Sequence, residues 1–173
     1  MLVGLVALAR TGTAQAYCRT TTCLNTCPED ENGCVAGGKP LSWRESCVSF
    51  TLQQAGSPAR GISADAALGV GAKAFERWRA TDWGAGVAPS IELAPSAGTA
   101  ACAHPDYDAH SGNANVWMFR DSGWPYAENA LAVSIVTFDD ESGAILDADV
   151  ELNSSRELTL GDSEIGYDLE SLV

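Results

Sequence analysis

Cysteine spacing is the feature that most constrains how this chain can fold. Six cysteines occur, and four of them lie within residues 18–34, where Thr, Asn, Asp and Gly are common and apolar residues are scarce. Such a segment cannot bury a core of its own, and disulfides stabilise segments of this kind outside the reducing cytosol. A zinc site is the alternative, although no C-x-x-C pair is present. We predict that all the cysteines form disulfides, in pairs that the sequence does not identify: Cys18, Cys23, Cys27, Cys34, Cys47 and Cys102.

The N-terminal residues are typical of a secretory signal peptide. Residues 1–9 (MLVGLVALA) form an apolar run of the right length, too short to span a bilayer, and Ala14-Gln15-Ala16 gives the small-x-small cleavage pattern. A buried N-terminal helix is the alternative. Together with the cysteines, this run predicts an exported protein, secreted or periplasmic, without a membrane span. We assign residues 1–16 to the signal peptide, 17–40 to a Cys-rich segment and 41–173 to one folded domain.

The chain is strongly acidic. Its 173 residues carry 23 Asp and Glu against 10 Lys and Arg, a formal net charge of −13. A field of this sign repels phosphate backbones and anionic lipid, so nucleic acid is not an expected partner. Clustered carboxylates bind hard cations instead, above all calcium.

Apolar patterning predicts an α+β domain with one mixed sheet and one long helix. A strand is predicted at 47–52, where Val48, Phe50 and Leu52 alternate with small polar residues, as in a half-buried strand. A helix is predicted from a Ser63 cap to about residues 80–83, with an apolar stripe that ends at Trp78. Further strands are predicted at 90–93, 114–119, 130–138 and 144–152, and a second helical pattern begins at 167. This order of elements is typical of an α+β or α/β domain.

Alternating acidic residues mark the last predicted strand. Because neighbouring residues of a strand point to opposite faces, four oxygen-bearing side chains share one face there: Asp147, Asp149, Glu151 and Asn153. Calcium takes oxygen ligands of this kind, so the row is a candidate calcium site. A solvated strand face is the alternative.

Both histidines lie in a second alternating pattern, His104-Pro-Asp106-Tyr-Asp108-Ala-His110. If this stretch were extended, its two His and two Asp would share a face and could bind zinc. Pro105 and the small polar residues nearby indicate instead a surface loop. No G-x-S-x-G and no H-E-x-x-H occurs in the chain.

Several segments, in order, resemble the matrixin family of zinc metalloproteases, which belongs to the metzincins. Ala74-Phe-Glu-Arg-Trp78 is similar to the A-F-x-x-W of the family's first helix. Leu131-Ala132-Val133-Ser134 falls where the family has L-A-H-A on its substrate-binding edge strand. The other similar segments are the strand at 48–52, the A-D-I-x-I-x-F-like strand at 114–119, the acidic strand at 143–153 and the opening of the active-site helix at 167–173.

The resemblance implies a metzincin-like upper subdomain over residues 41–173 that is incomplete at its C-terminus. The family's H-E-x-x-H-x-x-G-x-x-H signature would begin shortly after Val173, so the resemblance implies a zinc endopeptidase whose catalytic ligands lie outside this chain. A protein or peptide substrate would bind along Leu131, Ala132, Val133 and Ser134. The family's structural zinc uses the histidine of L-A-H-A, and Val133 stands in that place here.

Two other functional classes are open at this stage. One is a non-catalytic extracellular module, stabilised by calcium, that binds a peptide or glycan through the Trp124-Pro-Tyr126 loop or the sheet edge. The other is a disulfide-rich structural or inhibitor domain formed by residues 17–47.

Overall fold

The computed structural model describes residues 18–82, 84, 86–161 and 166–172. The predicted signal peptide lies outside these residues. The elements are β1 (Cys47–Leu52), a 3-10 turn (Pro58–Arg60), α1 (Ala64–Arg79), β2 (Glu92–Pro95), β3 (Asn115–Phe119), β4 (Ala132–Phe138), β5 (Ile145–Leu152), β6 (Leu158–Thr159), β7 (Tyr167–Asp168) and α2 (Leu169–Leu172).

Five strands form one mixed sheet in the order β2-β1-β3-β5-β4. The strands β2, β1, β3 and β5 are parallel, and β4 runs antiparallel to β5 at the edge. Ala132 pairs with Leu152 at one end of the β4–β5 ladder, and Phe138 pairs with Ile145 at the other. The prediction of an α+β domain with a mixed sheet and one main helix is confirmed.

Small residues allow α1 to lie close to the sheet. The Ser63 hydroxyl caps the helix by accepting from the N–H of Ala66 at 3.2 Å. The buried face of α1 consists of Ala64, Ala67, Gly71 and Ala74. The Trp117 ring of β3 lies directly over Gly71, where an added Cβ would come within 2.7 Å of it.

Trp78 departs from the sequence prediction. We expected it to continue the packed stripe of α1, but its exposed fraction is 58%. The aromatic core is formed instead by Phe50, Phe75 and Trp117, whose ring centroids lie between 4.9 and 5.6 Å apart. The small-residue face turns Trp78 toward α2 and solvent rather than toward the sheet.

Two disulfides join the four cysteines of the N-terminal segment, Cys18 to Cys34 and Cys23 to Cys27. Cys47 and Cys102 are free thiols, so the predicted pairing does not extend to them. Cys47 begins β1, whereas the carbonyl of Cys102 accepts a hydrogen bond from Gln53, just past the other end of that strand. A six-residue strand is about 20 Å long, and disulfides need Cα atoms within about 7 Å.

Within the described ranges, no helix combines the length and the apolar character needed to cross a membrane.

Candidate functional site

The strand β4 forms one edge of the five-stranded sheet and runs antiparallel to its neighbour β5, and β2 forms the other edge. Of the four residues expected to bind substrate, Ala132, Val133 and Ser134 lie in β4, and Leu131 comes directly before it. The N–H of Asn153 donates to the Leu131 carbonyl at 2.8 Å, and the Asn153 side-chain amide donates to the carbonyl of residue 130 at 3.0 Å. The end of β5 therefore fixes the point at which β4 begins.

The acidic row of β5 is buried. Asp147 and Asp149 are each 3% exposed, and Glu151 and Asn153 are each 1% exposed. The solvated face proposed from the sequence is therefore wrong. Loops that precede β3 and β4 cover this face, and they supply most of the hydrogen-bond donors that the row needs.

Asp149 and Glu151 bond to protein donors. The carboxylate of Asp149 accepts from the N–H groups of Val116 at 2.8 Å and Asp106 at 3.3 Å. Burial raises the pKa of Asp149, although these two N–H groups oppose the shift. Glu151 pairs with the Arg120 guanidinium and accepts from the Tyr126 hydroxyl at 2.5 Å. The same hydrogen bond raises the pKa of Tyr126.

Asp147 is the exception in this row. No hydrogen bond or ion pair of its carboxylate occurs in the described part of the chain, although its oxygens keep slight contact with solvent. Burial, together with the nearby charge of Asp149, raises its pKa to about 6. Asp147 therefore carries a buried charge at neutral pH without a compensating partner.

Half of the acidic row is not free to bind a metal ion. Glu151 and Asn153, two of the four residues predicted to bind calcium, are engaged by protein groups, and successive members of a strand face lie about 7 Å apart. Across residues 18–161 and 166–172, apart from Trp83 and Ala85, no group of three or more His, Cys, Asp and Glu is arranged to hold a metal ion.

The histidine pattern forms a surface loop, as the alternative interpretation held. His104 and His110 are exposed, and no strand includes them. Asp108 closes a local turn by accepting from the His110 N–H at 2.8 Å and the Ser111 hydroxyl at 2.9 Å. The residues described here therefore do not fit a zinc site.

An apolar groove lies on the opposite face of the sheet, beside α1. Its volume is about 270 Å³. The sheet strands, α1 and the first turn of α2 line it with Trp43, Val48, Phe50, Phe75, Leu93, Asn115, Trp117, Ala132, Ser134, Ala148, Val150, Leu152 and Leu172. It reaches β4 through Ala132 and Ser134, so the groove borders the start of the edge strand.

The short helix α2 is tied to α1. Leu169 is fully buried at its first position. Glu170 pairs with Lys73 at 3.6 Å and with Arg77. These contacts fix the direction in which the chain leaves β7, and that direction places Leu172 in the groove.

A further carboxylate, partly buried, was not identified from the sequence. Asp121, just past β3, accepts from the hydroxyls of Ser57 at 2.5 Å and Ser154 at 2.6 Å and from the Ala59 N–H at 3.0 Å. Burial opposes ionisation, but these hydrogen bonds hold the pKa of Asp121 below its ordinary value. Its partners are distant in sequence and show no common spacing, so no local pattern could have identified them.

The aromatic loop before β4 is on the surface, as expected. The rings of Trp124 and Tyr126 meet edge to face at 5.0 Å. The Trp124 indole donates to the Ala127 carbonyl at 3.0 Å, and the Tyr126 hydroxyl reaches Glu151. The sequence showed the aromatic pair but not the buried carboxylate that anchors it.

Comparison with protein-family models, with curated proteins and with solved structures found no match for this chain. The likeness to matrixins therefore rests on the segments quoted from its sequence.

Proposed function

We propose that this chain is the N-terminal part of a secreted zinc-dependent endopeptidase that hydrolyses peptide bonds. The observation that carries the proposal is the position of residues 131–134. The resemblance assigns them to a substrate-binding edge strand, and they lie at the start of β4, the antiparallel edge of the sheet. The finer assignment to a metzincin-like subdomain is part of the same proposal.

An edge strand binds an extended peptide by adding it to the sheet. Each free N–H and C=O along the outer side of β4 can pair with the backbone of a bound chain. Asn153 fixes the Leu131 carbonyl, so the beginning of this edge is preorganised. The role proposed for this chain is to hold the substrate extended and in register beside the catalytic centre.

The groove supports the proposal from the other face of the sheet. The segment that resembles the opening of the active-site helix begins α2, and its Leu172 lines the groove. A helix continuing from this point would begin at the groove, whose lining also includes Phe75 and Ala132. A zinc ion bound by histidines on such a helix would activate water for peptide hydrolysis.

The experiment is to express the product of the complete reading frame that contains this chain and to assay it on a quenched fluorescent protein substrate. We expect hydrolysis that a zinc chelator abolishes and that added zinc restores. A matched pair of variants locates the substrate site. Ser134→Pro places a proline in the edge strand, and Ser122→Pro places one in the exposed loop before it.

The edge-strand variant should lose most activity while the loop variant keeps it. A complete product that shows no chelator-sensitive hydrolysis would contradict the proposal. Equal activity of the two proline variants would remove β4 from the substrate site.

A calcium-stabilised binding module without catalysis is the second candidate, favoured by the unpartnered carboxylate of Asp147 beside Asp149. This candidate predicts that calcium at about a hundred times its Kd raises the unfolding free energy by about 2.7 kcal/mol, while magnesium does less. Denaturant unfolding in calcium chloride, magnesium chloride and chelator distinguishes the cases. Identical curves in all three would exclude it.

A further inference from the structure

Charge is distributed unevenly around the β4 edge. Residues 121–155 include the aromatic loop, β4, the following turn and β5, and they contain eight acidic residues and no lysine, arginine or histidine: Asp121, Glu128, Asp139, Asp140, Glu141, Asp147, Asp149 and Glu151. All of them lie in the described part of the chain.

Neighbouring cations offset some of this charge. Arg120 pairs with Glu151, Arg60 lies near Asp121, and Arg44 bonds to Ser142 beside Asp139. Glu128, Asp140 and Glu141 are exposed and form no hydrogen bond or ion pair through their side chains within the described ranges. They flank the two ends of β4, so any chain bound to this edge lies between them.

The two faces of the sheet at this edge also differ. Val133 lies opposite Glu151, and Thr137 lies opposite Asp147, so these β4 residues share the acidic face. Ala132 and Ser134 line the apolar groove on the other face. A strand added to β4 would therefore point alternate side chains toward buried carboxylates and toward apolar surface.

The spacing suits a long cationic side chain. An added strand lies about 5 Å from β4 and about 10 Å from β5. A lysine or arginine side chain extends about 6 Å from its Cα, so its charge would approach the acidic row beneath Val133 and Thr137. A short side chain at the same position would not reach the acidic row, and an acidic side chain would be repelled by it.

From this arrangement we infer that the β4 edge selects extended peptides in which Lys or Arg alternates with apolar residues. The basic side chains face the acidic row, and the apolar ones face the groove. This inference rests on the proposed function, because it assigns a substrate class to the same edge.

The test is fluorescence anisotropy on this chain with labelled octapeptides that alternate valine with lysine, glutamine or glutamate. A fourth peptide is the lysine peptide methylated on all of its backbone nitrogens, because alternate N–H groups of a strand point to opposite edges and only one set faces β4. We expect the lysine peptide to bind about tenfold tighter than the glutamine peptide at low salt, and this advantage to shrink at high salt. Backbone methylation should abolish binding, because it removes the donors that pair with β4.

A charge-reversal pair tests the location. Glu128→Lys combined with Asp140→Lys changes the charge at the two ends of β4, and Glu31→Lys combined with Glu76→Lys makes the same net change elsewhere. The first pair should weaken the lysine peptide about fivefold or more, and the second should have a much smaller effect.

Equal affinity for the lysine and glutamine peptides would overturn the selectivity while leaving binding at the edge intact. Binding that survives backbone methylation, or that both double variants weaken alike, would show non-specific attraction and would also overturn it. If no peptide binds, the proposal that β4 is a substrate-binding edge is contradicted, and the selectivity inferred from it is contradicted as well.

Discussion

The acidic face of β5 is buried along its length and the apolar face only in part, and different kinds of interaction cover the two faces. On the groove side, Val150 and Leu152 adjoin the aromatic cluster around Trp117. On the opposite side, loops cover Asp149 and Glu151, which bind N–H groups of β3 and of the loop before it, a guanidinium and a hydroxyl. Apolar burial is non-directional and tolerates imperfect fit, whereas a buried carboxylate needs each oxygen matched to a donor.

The two faces therefore respond differently when a side-chain contact is lost. Loss of apolar contact leaves a cavity, and its effect does not depend on pH. Loss of a polar partner leaves a charge without compensation, and its effect depends on which group is ionised. Asp147 shows this condition in the native protein, because it is buried without a partner beside Asp149.

The largest expected effect is on the apolar face. Phe50→Ala removes a ring that is 3% exposed and stacked on Trp117 at 4.9 Å. We expect the unfolding free energy to fall by about 3–5 kcal/mol, by the same amount at pH 5 and pH 8. Urea unfolding at the two pH values measures this. A loss that changes with pH would mean that the aromatic cluster is coupled to the acidic face.

On the polar face, Glu151→Gln leaves the Arg120 guanidinium without its counter-charge. A loss of about 3 kcal/mol is expected, because breaking a buried pair from one side leaves an uncompensated charge. The double variant Arg120→Met with Glu151→Leu should recover most of that loss. A double variant as unstable as the single one would show that the pair positions the loops in a way that apolar packing cannot replace.

Replacement of Asp147, unlike the two changes above, should stabilise the protein. Its pKa is raised from 3.8 to about 6, so the folded state binds more protons than the unfolded state between these values, and stability falls as pH rises through that window. Asp147→Asn removes this penalty and should raise the unfolding free energy by about 2–3 kcal/mol at pH 7 and not at all below about pH 4.

Unfolding curves from pH 3.5 to 8, in chelator, test this prediction. Asp140→Asn, an exposed neighbour outside the row, serves as the matched control and should leave the profile unchanged. A variant less stable than the native chain at pH 7 would show that the Asp147 carboxylate has a stabilising partner.

The smallest effects compare two glycines of α1. Nothing lies within 4 Å of a Cβ added at Gly69, so Gly69→Ala should stabilise the helix by about 1 kcal/mol. At Gly71 an added Cβ would meet the Trp117 ring at 2.7 Å, so Gly71→Ala should destabilise by about 1–2 kcal/mol. Thermal unfolding of the two variants shows whether each is more or less stable than the native chain. A change of the same sign in both would contradict the close approach of α1 to β3.

Local patterning predicted the five strands of the main sheet and α1, because alternation and helical spacing depend on neighbouring residues. It missed the short strands β6 and β7, and residues 167–168, expected to begin a helix, form β7. The strand predicted from residues 47–52 has the bounds of β1, and the helix capped by Ser63 begins where expected. Disulfide bonds in the Cys-rich segment are also confirmed. The free thiols of Cys47 and Cys102 were not foreseen, because pairing depends on distances that sequence does not contain.

The candidate site was only partly predictable. Leu131–Ser134 could be named as an edge segment through the family resemblance, and the alternation of β5 showed which side chains share a face. What covers that face could not be read from the pattern. Arg120 and Tyr126 come from loops outside β5, and a row of carboxylates has the same spacing whether water or protein donors surround it.

The sequence by itself determined the α+β class, the order of the main-sheet strands and α1, the acidic charge and the alternation along β5, because each depends on composition or on neighbours in the chain. Only the tertiary structure decided that the acidic row is buried, that Asp147 lacks a partner in the described part of the chain, that Trp78 is exposed and that β4 lies at one edge of the sheet. Burial and hydrogen bonding depend on which distant segments meet. That is set by how the sheet, α1 and the covering loops pack together.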